Sequence, residues 1–265
     1  MTNSGSTPAR PRTLAVAGAT GTLGRHVVEL ATARGHSVVP LSRASGHDLM
    51  SGSGLASALE GADAVIDVTS TSTLKPAEAV AFFRTATENL LAAERAAGVA
   101  HHVAVSIVGI DAATGGYYAG KLAQEAALAG APADGPGWSL LRAAQFHEFP
   151  EQLMTQTSFG PIVYAPTALI RPVAAAEVAE ALVDLAEGDP VGRARDLVGP
   201  HDERLADLMR RVLRHRAATG TGRRRLVVEA PLPGDQGRVF RSGSLRGGPE
   251  ARHGRVSFEE WLAGR

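Results

Sequence analysis

The stretch Gly18-Ala-Thr-Gly21-Thr-Leu-Gly24 constrains this chain more than any other, because of what lies on either side of it. Before it, Leu14–Ala17 is a short apolar run ending at Gly18, the pattern of a buried strand. After it, Leu23, Val27, Leu30 and Ala31 fall at helical spacing until Gly35 stops the run. At such a strand–helix junction the first glycine permits a tight turn, the second lets a pyrophosphate approach the backbone, and the third lets the helix pack close to the strand. The helix start then offers free N–H groups and the positive end of its dipole. With 30 Gly in the chain the glycine pattern alone says little, and its position at this junction is what gives it weight. The spacing predicts a dinucleotide held by Gly18, Thr20, Gly21, Thr22, Leu23 and Gly24.

The alternation continues beyond this turn. Strand patterns at Ser37–Leu41, Ala64–Val68, Val103–Val108 and Ser139–Leu141 alternate with helical ones at Leu55–Leu59, Pro76–Ala97 and Tyr117–Ala129. Short connections between them predict a parallel sheet with helices on both faces, a doubly wound α/β domain. After about residue 143 the rhythm loosens. Helices are expected at Phe146–Gln156, Ala174–Glu187 and Leu205–His215 and a strand at Ile162–Tyr164, with loops over Ala217–Gly254 around the strand-like Leu226–Glu229. The expected organisation is a disordered lead-in at 1–12 and one domain over 13–265, with 146–171 and 200–265 forming a small C-terminal lid over the substrate.

Composition removes several classes of function. The 265 residues contain no Cys, which excludes disulfides, a thiol nucleophile, Cys-held zinc and iron–sulfur clusters. Basic and acidic residues balance at 27 each and aromatics are 5%, so neither charge nor stacking surface points to nucleic acid or acidic membrane. No run approaches the roughly 20 apolar residues that span a bilayer. The polar start Met1–Arg12 lacks the apolar core of a signal peptide, so a cytoplasmic protein is expected. The arginines of Gly220–Arg225 are expected in a solvated loop. His101 and His102 are adjacent, point to opposite faces of a strand and do not chelate one metal; no metal site is expected. His147 and Glu148 fall near the expected cleft mouth, where a surface helix is favoured over a substrate role. There is no Gly-x-Ser-x-Gly elbow.

The end of the second strand selects the cofactor. A carboxylate there would hold a ribose 2′-hydroxyl, but the chain has Ser42 and Arg43. A guanidinium and a hydroxyl bind a 2′-phosphate, and Arg25 adds a second positive charge; NADP(H) is therefore expected. The other reading of Arg43 is a solvated loop residue. Asp48 and Leu49 are placed to reach the adenine edge, or Asp48 caps a helix. Val68, which ends the third strand, and Thr69 after it are expected to contact the cofactor.

Tyr117 and Lys121 stand four apart in Tyr117-Tyr118-Ala-Gly-Lys121, one turn apart on one helix face. A phenol, with a reference pKa of about 10, becomes a usable acid–base group when an ammonium stabilises its phenolate. Only two of the 27 basic residues are Lys, at 75 and 121, so a Lys here suggests a role for a compact ammonium. Ser106, eleven residues before Tyr117, either donates to a substrate carbonyl or caps its own backbone. Tyr117 and Tyr118 both remain candidates to face the cleft.

The ordered set Gly18-x-x-Gly21-x-x-Gly24, Ser106 and Tyr117-x-x-x-Lys121 resembles the short-chain dehydrogenase/reductase superfamily, and in detail its atypical, NmrA-like or NAD(P)H-binding branch. Tyr118-Ala-Gly-Lys-Leu-Ala-Gln-Glu125, Leu140-Leu-Arg-Ala-Ala-Gln-Phe146 and Phe258-Glu-Glu-Trp-Leu262 carry the likeness to the C-terminus. Pro is frequent in the family where this chain has Ala144. The resemblance implies a Rossmann-like fold, with Ala144, Gln145 and Phe146 passing the nicotinamide and Lys121 holding the nicotinamide ribose. It implies an oxidoreductase reducing a carbonyl, enone or quinone-type small molecule with NADPH, Tyr117 giving the proton and Ser106 meeting the carbonyl. A non-catalytic NADP(H) sensor and a non-redox isomerase, cyclase or dehydratase are the alternatives. A monomer or homodimer is expected. The Arg-over-Lys bias suggests a high-GC genome, where such chains occur in secondary metabolism.

Overall fold

In the computed structural model, residues 10–73, 75–111, 115–222 and 225–265 are described; most of the expected lead-in lies outside them. Apolar runs capped by glycine turns give the first half its rhythm. Strand β1 (Thr13–Ala17) leads to helix α1 (Thr22–Ala33), then β2 (Ser37–Leu41), the short α2 (Leu55–Ala58) and β3 (Ala64–Asp67). Helix α3 (Pro76–Ala97) starts at a proline and ends at Gly98, which adopts φ +74° as its left-handed cap. β4 (His101–Ile107), α4 (Gly116–Ala129) and β5 (Gly137–Ala143) complete this half.

The second half is more broken, as its sequence implies. It contains α5 (Phe149–Thr157), β6 (Ser158–Phe159), β7 (Ile162–Pro166), β8 (Leu169–Ile170) and α6 (Ala175–Glu187). Next come β9 (Gly192–Arg193), β10 (Leu197–Val198), β11 (Glu203–Arg204) and α7 (Leu205–Ala218). The chain closes with β12 (Leu226–Ala230), α8 (Gly234–Ser242), β13 (Arg252–His253) and α9 (Phe258–Ala263). Two expectations need correction. Residue 146 does not start a helix: Phe146 bridges in parallel to Val173, prolonging the direction of β5, and the helix starts at Phe149. The stretch expected as loops contains α8, whose Val239 and Phe240 are buried.

The central sheet is parallel throughout, in the order β13-β10-β5-β4-β3-β1-β2, with β9 also pairing to β5. Ala17 stands level with Leu41 on one side and Asp67 on the other, and Asp67 with Ala104. The chain moves from β1 outward to β2 and returns on the opposite side of β1 to β3, so β1 and β3 flank the switch point at whose carboxyl ends sheets of this kind offer a ligand crevice. Helices α1 and α6 pack together on one face, α3 and α4 on the other. This is the doubly wound, Rossmann-like arrangement. A second apolar cluster, with Ile110, Met154, Ile170, Met209, Phe240 and Phe258 among its buried members, gathers the later segments beyond the carboxyl ends of the strands. Among the described residues no helix is long and apolar enough to cross a membrane, and no group of three or more His, Asp or Glu gathers as for a metal ion.

Candidate functional site

The glycine turn is built as its spacing requires. Gly18 has φ +83°, and a Cβ there would stand 2.8 Å from the carbonyl oxygen of Val68. A Cβ on Gly24 would lie 2.1 Å from the Gly18 carbonyl oxygen, so only glycine lets α1 start this close to β1. The Gly18 N–H donates to the Leu41 carbonyl at 3.1 Å, tying the end of β2 to the turn. Gly21 caps α1 without a side-chain hydrogen bond, and the first turn holds no acidic residue, leaving the positive helix end open to an anion. Beside it, the hydroxyl of Thr69 is buried without a hydrogen-bond partner among the described residues, and Gln145 is buried with its amide against the Tyr118 hydroxyl. A glycine cradle, an uncapped helix start and an orphaned buried hydroxyl fit a nicotinamide dinucleotide.

Past β2, the structure divides the residues expected at the 2′-phosphate. The Ser42 hydroxyl accepts the Ser45 N–H at 3.2 Å and meets the Ser45 hydroxyl at 3.1 Å, capping a short 3-10 turn over Arg43–Ser45. It is thus engaged locally, while Arg43 in that turn and Arg25 in α1 are solvent-exposed. Asp48 corrects its expectation as a helix cap: its carboxylate accepts the Met50 N–H at 3.0 Å in an exposed turn, and α2 begins later, after Gly54. Leu49 is half-buried, its carbonyl receiving the Asn89 amide at 2.8 Å.

Helix α4 brings Tyr117 and Lys121 to the same end of the sheet. The Tyr117 hydroxyl lies 3.0 Å from that of Ser70, just past β3, and its ring meets Phe83 edge-on at 5.3 Å. Tyr118 is buried in the second apolar cluster. Tyr117 packs against the same cluster and keeps its hydroxyl beside Ser70. Burial pushes its phenol up to about 12, against the lowering effect of the Ser70 hydrogen bond. The expected lowering by Lys121 is not realised, because that ammonium turns inward: it donates to the Val105 carbonyl at 3.0 Å and the Gln124 side-chain oxygen at 2.8 Å, with the Thr69 carbonyl at 3.5 Å. Burial pulls Lys121 down to about 8, with Asp67 and Glu125 opposing.

Ser106 requires the largest correction. Its hydroxyl donates to Glu125 at 2.5 Å and is buried, so its proton is not available to a substrate carbonyl. Arg142, level with it on β5, grips both oxygens of Glu125 at 2.9 and 2.7 Å and reaches Asp111 at 2.7 Å. Sequence reasoning missed this Ser106–Glu125–Arg142–Asp111 cluster. Its only signal was an Arg inside an apolar strand, which when buried demands carboxylate partners. His147 is neither on a surface helix nor at the cleft mouth. It is buried, donates from Nε2 to the Val256 carbonyl at 3.0 Å and packs against Phe258 and Trp261. Ala144 is buried and donates its N–H to Leu197 at 2.8 Å. Phe146 is half-buried against the sheet core.

Comparison with known proteins agrees with this geometry. A family model described as NAD(P)H-binding matches residues 18–189. No curated protein sequence matches the chain. Among solved structures, an NADPH-dependent quinone oxidoreductase from Escherichia coli in complex with NADPH is 19% identical with a TM-score of 0.65, over 95% of this chain and 99% of that one. A UDP-N-acetylglucosamine 4-epimerase from Bacillus cereus is 18% identical with a TM-score of 0.67, over 95% of each chain. A nucleoside-diphosphate-sugar epimerase from Staphylococcus aureus is 16% identical with a TM-score of 0.64, over 94% of this chain and 99% of that one. These likenesses establish the shared fold.

Proposed function

Because this chain belongs to the NAD(P)H-binding family, we propose that it is an NADPH-dependent reductase of a carbonyl, enone or quinone-type small molecule. The observation that carries this reading is the Tyr117 phenol at the end of β3, with the buried Lys121 ammonium one turn along α4. The turn Gly18–Gly24, with Thr20, Thr22 and Leu23, would hold the pyrophosphate, and Arg43 and Arg25 the 2′-phosphate. Val68, Thr69, Ala144, Gln145 and Phe146 would flank the nicotinamide. The nicotinamide, when bound, supplies a hydride equivalent. Burial keeps the Tyr117 phenol protonated at neutral pH, so it holds the proton that the substrate oxygen would take as the hydride arrives. Lys121 contributes positive charge on the ribose side rather than a lowered phenol pKa. The segments 146–171 and 200–265 would close over the substrate and exclude water.

The engagement of Ser106 with Glu125 favours a second reading, an NADP(H) sensor without turnover, because no serine proton is left to polarise a carbonyl. Replacing Tyr117 with Phe separates the two. The reductase reading expects NADPH oxidation with quinones, enones or ketones to fall by about 10²–10⁴ with cofactor affinity kept. Turnover unchanged in Tyr117→Phe would overturn the role of the phenol. Tight NADPH binding by the wild-type protein without turnover of any of these substrates would establish the sensor instead.

A further inference from the structure

Lys121 is 3% exposed, and among the described residues every atom to which it donates belongs to a neutral group: the Val105 and Thr69 carbonyls and the Gln124 amide. The Phe83 ring covers it at 4.4 Å from the centroid. An ammonium so enclosed sheds its proton unless a counter-charge stands near. Asp67 at the end of β3 is 0% exposed and equally out of place in an apolar sheet. One of its oxygens accepts the Thr69 N–H at 2.9 Å; the other accepts the Gln124 side-chain N–H at 2.7 Å. Gln124 therefore stands between the two buried charges. Its orientation is dictated chemically: an ammonium only donates and a carboxylate only accepts, so oxygen must face Lys121 and nitrogen Asp67.

The other ionisable groups packed around this point are already committed. Glu125 on α4 is held by Arg142 and Ser106. Tyr117 on α4 pairs with Ser70. His102 on β4 donates to Glu94 of α3 at 2.7 Å, both fully buried. Asp67 is the buried carboxylate joined to Lys121 through a single bridging amide.

We propose that Asp67, acting through the Gln124 amide, is a positioning residue that keeps the Lys121 ammonium charged and fixed at the cofactor side of the crevice. This rests on the reading above that Lys121 serves a bound nicotinamide cofactor, and its test can fail separately from that reading. The chain has only two lysines, so protein grown on ¹³C,¹⁵N-lysine gives two side-chain signals. Lys75, exposed and paired with Glu78, is the internal reference. The Lys121 titration midpoint, measured without cofactor, is expected to fall by a pH unit or more in Asp67→Asn, about a tenfold loss in proton affinity. Gln124→Met, close to Gln in volume, is expected to lower it in the same direction, and it serves if Asp67→Asn does not fold. The Lys75 midpoint stays put in both. An unshifted Lys121 midpoint in a folded variant overturns the proposal. A lowered midpoint with weaker NADPH binding at neutral pH supports it in full. A lowered midpoint with NADPH affinity unchanged overturns the cofactor role of Lys121 and with it the positioning, leaving only a buried charge pair.

Discussion

Burial acts in opposite senses on two ionisable side chains one turn apart on α4: it raises the Tyr117 phenol to about 12 and lowers the Lys121 ammonium to about 8. As pH rises, Lys121 loses its charge well before Tyr117 loses its proton. Turnover and NADPH affinity are therefore expected to decline together through about pH 8, which a pH series of initial rates and titrations will show. Stability should move the other way. The unfolded lysine keeps its proton to about pH 10.4, so between the two values the unfolded state binds more protons and the Lys121 contribution to folding rises with pH. A melting temperature that fell over this window in parallel with activity in the wild type, but not in Lys121→Met, would contradict the assignment. At this scale the sequence was legible where local spacing decides the backbone: Gly18, Gly21 and Gly24 form the strand–helix turn, and Tyr117 and Lys121 share helix α4. It was silent where the partner is remote. Nothing near Ser106 announces that Glu125, nineteen positions on, takes its proton, nor that Gln124 links Asp67 to Lys121.

Helix α4 depends on one small residue for its seat. A Cβ on Gly120 would lie 2.6 Å from the Phe83 ring and 2.8 Å from the Ala79 carbonyl, so glycine is what lets α4 lie against α3 at this distance. Gly120→Ala is expected to cost about 1–3 kcal/mol by overpacking. At about 2–4 °C per kcal/mol for a chain of this size, that is a lowered melting temperature readable by calorimetry. Activity should fall further than stability alone explains, since Tyr117 and Lys121 ride on the displaced helix. An unchanged melting point would show that Phe83 yields freely. The alternation of strand and helix was readable through α4 because each element carries its own period and its own glycine stop. Helix α8 was not, because Gly234 and Gly237 lie inside it and both have poor helix propensity. Gly237 is nonetheless required, since a Cβ there would stand 1.6 Å from the Leu232 carbonyl. Phe146 reads as a helix start, but a single pairing with Val173 holds it extended.

Across the whole molecule, the terminal segment is fastened to the sheet domain from inside. Glu177 on α6, 7% exposed, accepts the backbone N–H groups of Arg255 at 2.6 Å and Val256 at 3.3 Å. From the other side His147 donates to the Val256 carbonyl, and its ring packs with Phe258 and Trp261. Glu177→Ala leaves two backbone donors unpaired and is expected to cost about 1–3 kcal/mol. If the later segments close over a substrate, this variant raises the substrate KM more than it weakens NADPH binding, and equal effects on both would argue against that lid. The position of these later segments was the least legible part of the chain, because contacts separated by 75 residues or more leave no local period to read.

The proposed preference for NADPH depends on the glycine turn and Arg43 acting together. Titration of the purified protein with NADPH and with NADH, followed by nicotinamide fluorescence, tests this directly. Tighter binding of NADPH than of NADH is expected, with the preference abolished in Arg43→Ala. Equal binding of the two cofactors, or a preference that survives that substitution, would contradict the assignment of the 2′-phosphate, and binding of neither would contradict the reductase reading itself.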